Sequence, residues 1–340
     1  MVREFAQPRR NPGQDDLYLD RGLHISLMQL MKKRNDTIEL VQSDRATIRC
    51  ISYSKSNNDI LAIGRADGLL RLWCPSEPHP RIEARHRYQI RSLAWRPQVD
   101  EWTTEREQLL VGENSGIVYC YAIDWVYGST DMRIVWKVQP HLQQVCGLEW
   151  STDGLQWVSG SNDNSVALFD TIDPSRPRHV WRHGAAVKAM AFCPWQPRLL
   201  ATGGGSLDRT IRFWHTFSGQ KVAELPVRSQ VTSLIWSRTC KEILATFGFA
   251  NPPHPIRMAI FSWPGLDQIM KVAWSMEHRS LHAVQHPHGG QVVVAGSNEI
   301  LHFYNIWEEG DSQIPPARGS FHSDIIELVE GIDIRDMGIR

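Results

Sequence analysis

One pattern recurs along this chain: a Gly, an Asp, Ser or Asn three residues on, and an aromatic six residues further. It reads Gly64…Asp67…Trp73, Gly112…Ser115…Tyr121, Gly160…Asp163…Phe169 and Gly205…Asp208…Trp214, with a looser copy at Gly296…Asn298…Tyr304. The aromatics of the first four copies stand 45 to 48 residues apart. Apolar segments ending in an aromatic interleave with the copies, at Tyr53, Trp95, Trp150, Phe192 and Trp236. A unit of this size cannot bury its apolar face alone, so a repeat demands neighbours stacked on one another.

Four-stranded units of about 40–45 residues with an aromatic closing a strand are the signature of WD-repeat β-propellers. The expected fold class is therefore all-β. Ile48–Tyr53 alternates, 60–64 reads as a short buried strand, Ala66-Asp67-Gly68 as a turn and Leu69–Trp73 as the next strand. The unit returns at 90–121, 145–170, 187–215, 231–263 and 281–307, which makes six blades between 46 and 307. A seventh would have to come from residues 15–45, and these 31 residues are too few for a blade. The first blade is then incomplete, or completed from elsewhere as when a propeller borrows a strand from the opposite terminus. The expected organisation is an N-terminal arm with an incomplete first blade (1–45), the blades (46–307) and a linker-like tail (308–340).

Lys plus Arg and Asp plus Glu both total 37, so no global field draws the chain to nucleic acid or a membrane surface. Of the cations 29 are Arg, the better bidentate partner for carboxylates, which points weakly to protein contacts. Six cysteines lie far apart with no Cys-x-x-Cys pattern, as in a reduced intracellular protein. No apolar run reaches the roughly 18–20 residues of a spanning helix. The expectation is a soluble protein of nucleus and cytoplasm.

Chemistry-bearing motifs are few. In WD blades the turn acid accepts from the histidine that opens the blade, and His183…Asp208…Trp214 and His141…Asp163…Phe169 read as such structural networks. Gly203-Gly-Gly-Ser-Leu-Asp lacks the Gly-Lys-Ser/Thr ending of a phosphate loop. His282, His286, His288 and His302 cluster in sequence without a Cys or carboxylate at ligand spacing. No catalytic residue, metal or cofactor is expected.

Val145-Cys-Gly-Leu-Glu-Trp-Ser-Thr-Asp153, Ser159-Gly-Ser-Asn-Asp-Asn164 and His183-Gly-Ala-Ala-Val-Lys-Ala-Met-Ala-Phe-Cys-Pro-Trp195 go beyond generic WD repeats. With Leu200-Ala-Thr-Gly-Gly-Gly-Ser-Leu-Asp-Arg209 and Ser229-Gln-Val-Thr-Ser-Leu-Ile-Trp-Ser237 they closely resemble the Fizzy/Fizzy-related family. Such proteins are co-activators of the anaphase-promoting complex, a ubiquitin ligase to which they present degron-bearing substrates. Ala245-Thr-Phe-Gly-Phe-Ala250, Pro252-Pro-His-Pro-Ile-Arg and Phe261-Ser-Trp-Pro264 look most like the fungal meiosis-specific branch. The resemblance implies that a Lys-Glu-Asn degron meets Asp16, Asn162, Asn164, Ser206, Gln230 and Arg279. It also implies that Glu299 holds a destruction-box arginine and that Ile339-Arg340 docks on the ligase. Amides offer donors and acceptors to the degron's Asn and Glu, and an arginine can grip its carboxylate. The chain departs from the family in three places. No Asp-Arg-basic C-box precedes residue 15, the rest of the first blade is missing or scrambled across 20–45, and Leu17 stands where an aromatic is usual, with the second destruction-box acid lost near Arg9. They leave an alternative, a WD-repeat interaction scaffold without activator function.

Overall fold

The structure, a computed structural model, describes residues 3–4, 47–54, 60–74, 81–97, 107–126, 129–287 and 289–308. Residues 15–45, on which the expected first blade falls, and the tail beyond 308 lie outside the described residues. Every regular element described is a β-strand, and the strands group into two compact units. Strand β1 (Arg3–Glu4) belongs to the last sheet.

The first unit, residues 4–187 with 299–301, holds three antiparallel four-stranded sheets. They comprise β2 (Ile48–Tyr53), β3 (Leu61–Arg65), β4 (Leu69–Trp73) and β5 (Ile82–Arg85); β6 (Ile90–Trp95), β7 (Glu107–Glu113), β8 (Val118–Val126) and β9 (Ser129–Val138); and β10 (Val145–Trp150), β11 (Gln156–Ser161), β12 (Ser165–Asp170) and β13 (His179–Arg182). The second unit, residues 1–3, 188–298 and 302–340, is organised alike. Its sheets comprise β14 (Val187–Phe192), β15 (Leu199–Gly204), β16 (Thr210–His215) and β17 (Lys221–Pro226); β18 (Val231–Trp236), β19 (Glu242–Phe247), β20 (Ile256–Ser262) and β21 (Gln268–Ala273); and β22 (Ser280–Gln285), β23 (Gln291–Gly296) and β24 (Leu301–Asn305). Beside β24 lies β1, so the last sheet takes its fourth strand from the other end of the chain. The chain belongs to the WD-repeat β-propeller fold class, each sheet being one blade.

Inner strands such as β3, β11 and β15 are buried along most of their length, whereas the outermost strands alternate between half-buried and exposed. Two devices bring neighbouring sheets together. An indole closing a first strand donates to a carbonyl of the preceding first strand: Trp95 to Ser52 (3.0 Å), Trp150 to Ala94 (3.2 Å) and Trp236 to Ala191 (3.1 Å). A buried indole N–H needs such a partner, so this bond fixes the spacing that apolar packing alone would leave loose. Near the end of a second strand, glycine admits the next sheet: a Cβ on Gly112 would lie 2.8 Å from Val145. The equivalent residue in β15 is Gly203, whose Cβ would lie 2.4 Å from Val231. The repeat's fourth glycine is thus Gly203 rather than Gly205, because the β15–β16 turn is five residues long where β3–β4 and β11–β12 have three.

Each hydrogen-bond network is built from what its sheet offers. His141 Nδ1 faces Asp163 (3.2 Å) and Ser165 (3.0 Å), and Nε2 meets Ser159 (2.8 Å). In β6–β9 the turn position holds Ser115, and Glu113 supplies the acid instead: His86 Nδ1 lies 2.8 Å from it and Nε2 lies 2.9 Å from the Tyr121 hydroxyl. Trp214 donates to Thr202 (2.8 Å), and Asp208 takes Arg212 bidentately at 2.6 and 2.9 Å. Of the four histidines grouped in the sequence, His288 lies outside the described residues. His282 meets Ser233 (3.4 Å) while His302 stacks on Trp274 (4.1 Å between centroids). All six cysteines are free thiols.

Desolvation, with a smaller push from Lys188, holds His282 down to about 3. A histidine depressed on folding takes up its proton in the unfolded chain first, so its contribution is intact above about pH 6.5 and is lost as pH falls from there toward 3. Urea melts at pH 7 and pH 5 should therefore show wild type losing about 1–2 kcal/mol more than His282→Gln over that interval. Equal losses would contradict this account of His282.

Candidate functional site

Antiparallel order sorts the loops of a four-stranded sheet to two ends. The start of the first strand, the turn between second and third strands, and the finish of the fourth share one end. A main-chain hydrogen bond marks that end, from the residue after the second strand to the residue before the first. Ala66 donates to Thr47 (2.8 Å), Asn114 to Gln89 (2.9 Å), Asn162 to Gln144 (3.1 Å), Gly248 to Gln230 (2.8 Å) and Ser297 to Arg279 (2.8 Å). Asn162, Gln230 and Arg279 are therefore members of one structural pair, each in its own sheet.

A left-handed residue stands last or next to last in the turn: Gly68 (φ 80°), Gly116 (86°), Asn164 (66°), Arg209 (50°) and Glu299 (65°). Its carbonyl accepts the N–H that follows the fourth strand, from His86 to Gly68 and His183 to Asn164 (both 2.8 Å) and from Val227 to Arg209 (2.7 Å). Glycine has no steric objection there and asparagine tolerates the region, but a longer side chain costs about 1–2 kcal/mol. Arg209 and Glu299 accept that cost, which makes them candidates for a role beyond the turn.

In the first unit the exposed Asn162 and half-buried Asn164 flank Asp163, whose carboxylate is committed to the fold. Burial pushes the Asp163 carboxyl up, but hydrogen bonds from Ser165 and Leu142, with His141 beside it, outweigh this and hold it below its usual value. Desolvation keeps His141 below its ordinary value against the opposing pull of Asp163. The acid and histidine brace the turn. Asn162 Oδ1 accepts the weak Cys146 thiol at 4.0 Å, and the Asn164 side chain has no hydrogen bond among the described residues, so amide donors remain for another partner.

In the second unit Ser206 sits half-buried in the five-residue turn, its carbonyl taking Arg209 Nε at 2.7 Å. Gln230 Oε1 accepts the Phe249 N–H (3.4 Å), which leaves its amide N–H groups available. A Cβ on Gly248 would stand 3.0 Å from that Oε1, so glycine there gives Gln230 its room. Arg279 is exposed and its backbone is clasped by Ser297, which also accepts the Arg279 N–H through Oγ (2.9 Å). Burial and the cations Arg228, Arg257 and Lys271 hold the nearby His254 below its usual value, a field suited to a carboxylate. No group of three His, Cys, Asp or Glu among the described residues is placed to hold a metal.

Every sequence-derived site residue within the described set thus falls at the same end of its own sheet. Asp16, Ile339 and Arg340 lie outside the described residues. Sequence reading missed Gln144, which holds the position of Gln230 and Arg279 in its sheet and accepts Arg91 Nε at 3.0 Å. Its place one residue before a first strand is the signal that would have found it.

The chain matches the family described as the CDC20/Fizzy WD40 domain over residues 16–304. It is 39% identical over 84% of its length to an uncharacterized WD repeat-containing protein of Schizosaccharomyces pombe, and 36% identical over 84% to meiotic fizzy-related protein 2 of that yeast. Against the meiosis-specific APC/C activator protein AMA1 of Saccharomyces cerevisiae it is 42% identical over 57% of its length. The chain spans 55%, 58% and 34% of these three relatives. A chain of the crystal structure of the mitotic checkpoint complex superposes with TM-score 0.69 at 31% identity, covering 79% of this chain and 80% of that one.

The left-handed turn makes a direct prediction. Asn164→Gly should leave stability within a few tenths of a kcal/mol of wild type, while Asn164→Ala should cost about 1 kcal/mol in urea melts. Matching losses for the two variants would contradict the backbone argument.

Proposed function

Because the chain belongs to the CDC20/Fizzy WD40 family, we propose that it is a non-catalytic co-activator of the anaphase-promoting complex that receives degron peptides. The observation that supports this most is the common placement of the residues on which the family's degron contacts fall. Asn162, Asn164, Ser206, Gln230 and Arg279 each stand at the loop end where main-chain bonds do the holding. Their side chains are chemically suited to a Lys-Glu-Asn peptide: amides for its Asn, and a guanidinium for its Glu. Asp16 would meet the peptide lysine, Glu299 a destruction-box arginine, and Ile339-Arg340 the ligase.

Catalysis then belongs to the ligase and its ubiquitin-loaded partner, and this chain raises the local concentration of substrate. The names of its meiotic relatives favour meiosis as the setting, in nucleus and cytoplasm. A single degron should bind weakly, because ordering a flexible peptide consumes much of the contact energy.

Titrating a Lys-Glu-Asn peptide into the purified chain tests the reading by calorimetry. Asn164→Gly and Arg279→Ala should each weaken binding by about tenfold, or about 1.4 kcal/mol, with melting temperature held within a few degrees. Unaltered affinity in both variants would favour the scaffold alternative.

A further inference from the structure

Arg257, the second residue of β20, is among the largest fully buried side chains of the described residues, at 2% exposure. Its guanidinium is enclosed by carbonyls. Nε donates to His278, Nη1 to His254 and Ile256 (3.3 Å), and Nη2 to Met276 (3.1 Å). No carboxylate pairs with it among the described residues. A buried ion without a counter-charge costs several kcal/mol unless hydrogen bonds replace its water. Packing alone would be served more cheaply by Met or Leu, so the charge and its fan of donors call for another reason.

The reason lies in what the carbonyls belong to. His254 and Ile256 close the β19–β20 loop, whose Phe249 binds Gln230 through two hydrogen bonds. Met276 and His278 lie in the β21–β22 loop, which leads straight into Arg279. The loop is held at its start, where Trp274 donates its N–H to Pro255 (3.0 Å) and its indole to Tyr304 (2.9 Å) and stacks on His302. Residues 275–278 add the internal bonds of His278 to the Ser275 carbonyl (3.1 Å) and Glu277 to Ser275 Oγ (3.5 Å). On its far side Ser297 clasps the Arg279 N–H and carbonyl. The backbone that carries Arg279 is thus anchored from both flanks, by Arg257 before it and Ser297 after it. Burial and the like charge of Arg279 both press the Arg257 pKa down, a cost that carbonyl dipoles offset.

We propose that Arg257 is a positioning residue: it fixes the β21–β22 loop so that the exposed Arg279 guanidinium is set to receive a peptide carboxylate. This rests on the degron reading above. Arg257 contacts no peptide itself. It acts by removing the loop entropy that Arg279 would otherwise lose on binding.

The test compares a Lys-Glu-Asn peptide with a Lys-Gln-Asn peptide on wild type, Arg257→Met, Arg257→Lys and Arg279→Ala, with amide exchange followed across 274–280 in the peptide-free proteins. Wild type should prefer the Glu peptide by about tenfold. In Arg257→Met that preference should fall below threefold, Gln-peptide affinity should stay within twofold, and exchange at 275–279 should quicken at temperatures where the protein remains folded. Arg257→Lys, with one nitrogen in place of three, should fall between; it decides the matter if Arg257→Met fails to fold. A kept preference or unchanged exchange in the Arg257 variants, with preference lost in Arg279→Ala, would overturn this inference alone. Absence of any Glu preference in wild type, or its survival in Arg279→Ala, would overturn the degron reading and this inference with it.

Discussion

The hydrogen bond from the residue after the second strand to the residue before the first is made by main-chain atoms alone. It therefore holds the loop end of a sheet whatever side chains stand there. The residues before the first strand are Thr47, Gln89, Gln144, Gln230 and Arg279; those after the second are Ala66, Asn114, Asn162, Gly248 and Ser297. Such variety is what a backbone-secured position permits. The bond asks for no particular side chain, so a protein that recognises peptides could place recognition chemistry there without weakening the sheet, even where Gln144, Gln230 and Ser297 also accept Arg91, Phe249 and Arg279 through their side chains.

Side chains carry the structural load elsewhere. Indoles of Trp95, Trp150 and Trp236 each reach a carbonyl of the preceding sheet, and Gly112 and Gly203 let the next sheet approach where a Cβ would collide. These contacts recur within each unit, where one sheet receives the next. They also explain the period: aromatic and glycine positions are dictated by sheet-to-sheet spacing, a fixed physical length. Asp163 and Asp208, which read as structural acids in the sequence, are bound to His141, Ser165 and Arg212. They stiffen the turns from which Asn162, Asn164 and Ser206 are presented.

The repeat made the blades legible because strands with a buried aromatic and a close glycine leave a periodic trace. Roles that can migrate by a residue or two were not legible. Glu113 stands in for the turn acid because Ser115 occupies the turn, and Tyr121 offers a hydroxyl where other blades offer an indole. Gly203 was masked by the run Gly203-Gly-Gly, since counting from Asp208 assumes a three-residue turn. The candidate site was partly legible: Asn162, Asn164, Ser206, Gln230 and Arg279 came from the family resemblance, and the geometry adds their common end. Arg257 stands in the sequence only as the end of Pro252-Pro-His-Pro-Ile-Arg, and its burial is not legible there, because an arginine in a strand reads as solvated until its carbonyl cage is seen.

The central claim is that peptides meet the loop ends where first strands begin. A Lys-Glu-Asn peptide carrying a photoreactive group beside its Glu tests it, with cross-links mapped by mass spectrometry. The account predicts cross-links at first-strand loop ends, within 160–164 in the first unit or within 205–209, 228–230, 248–250 or 275–279 in the second. Cross-links confined to the opposite ends, at 152–155, 171–177, 194–198, 216–220, 238–241 or 263–267, would contradict it.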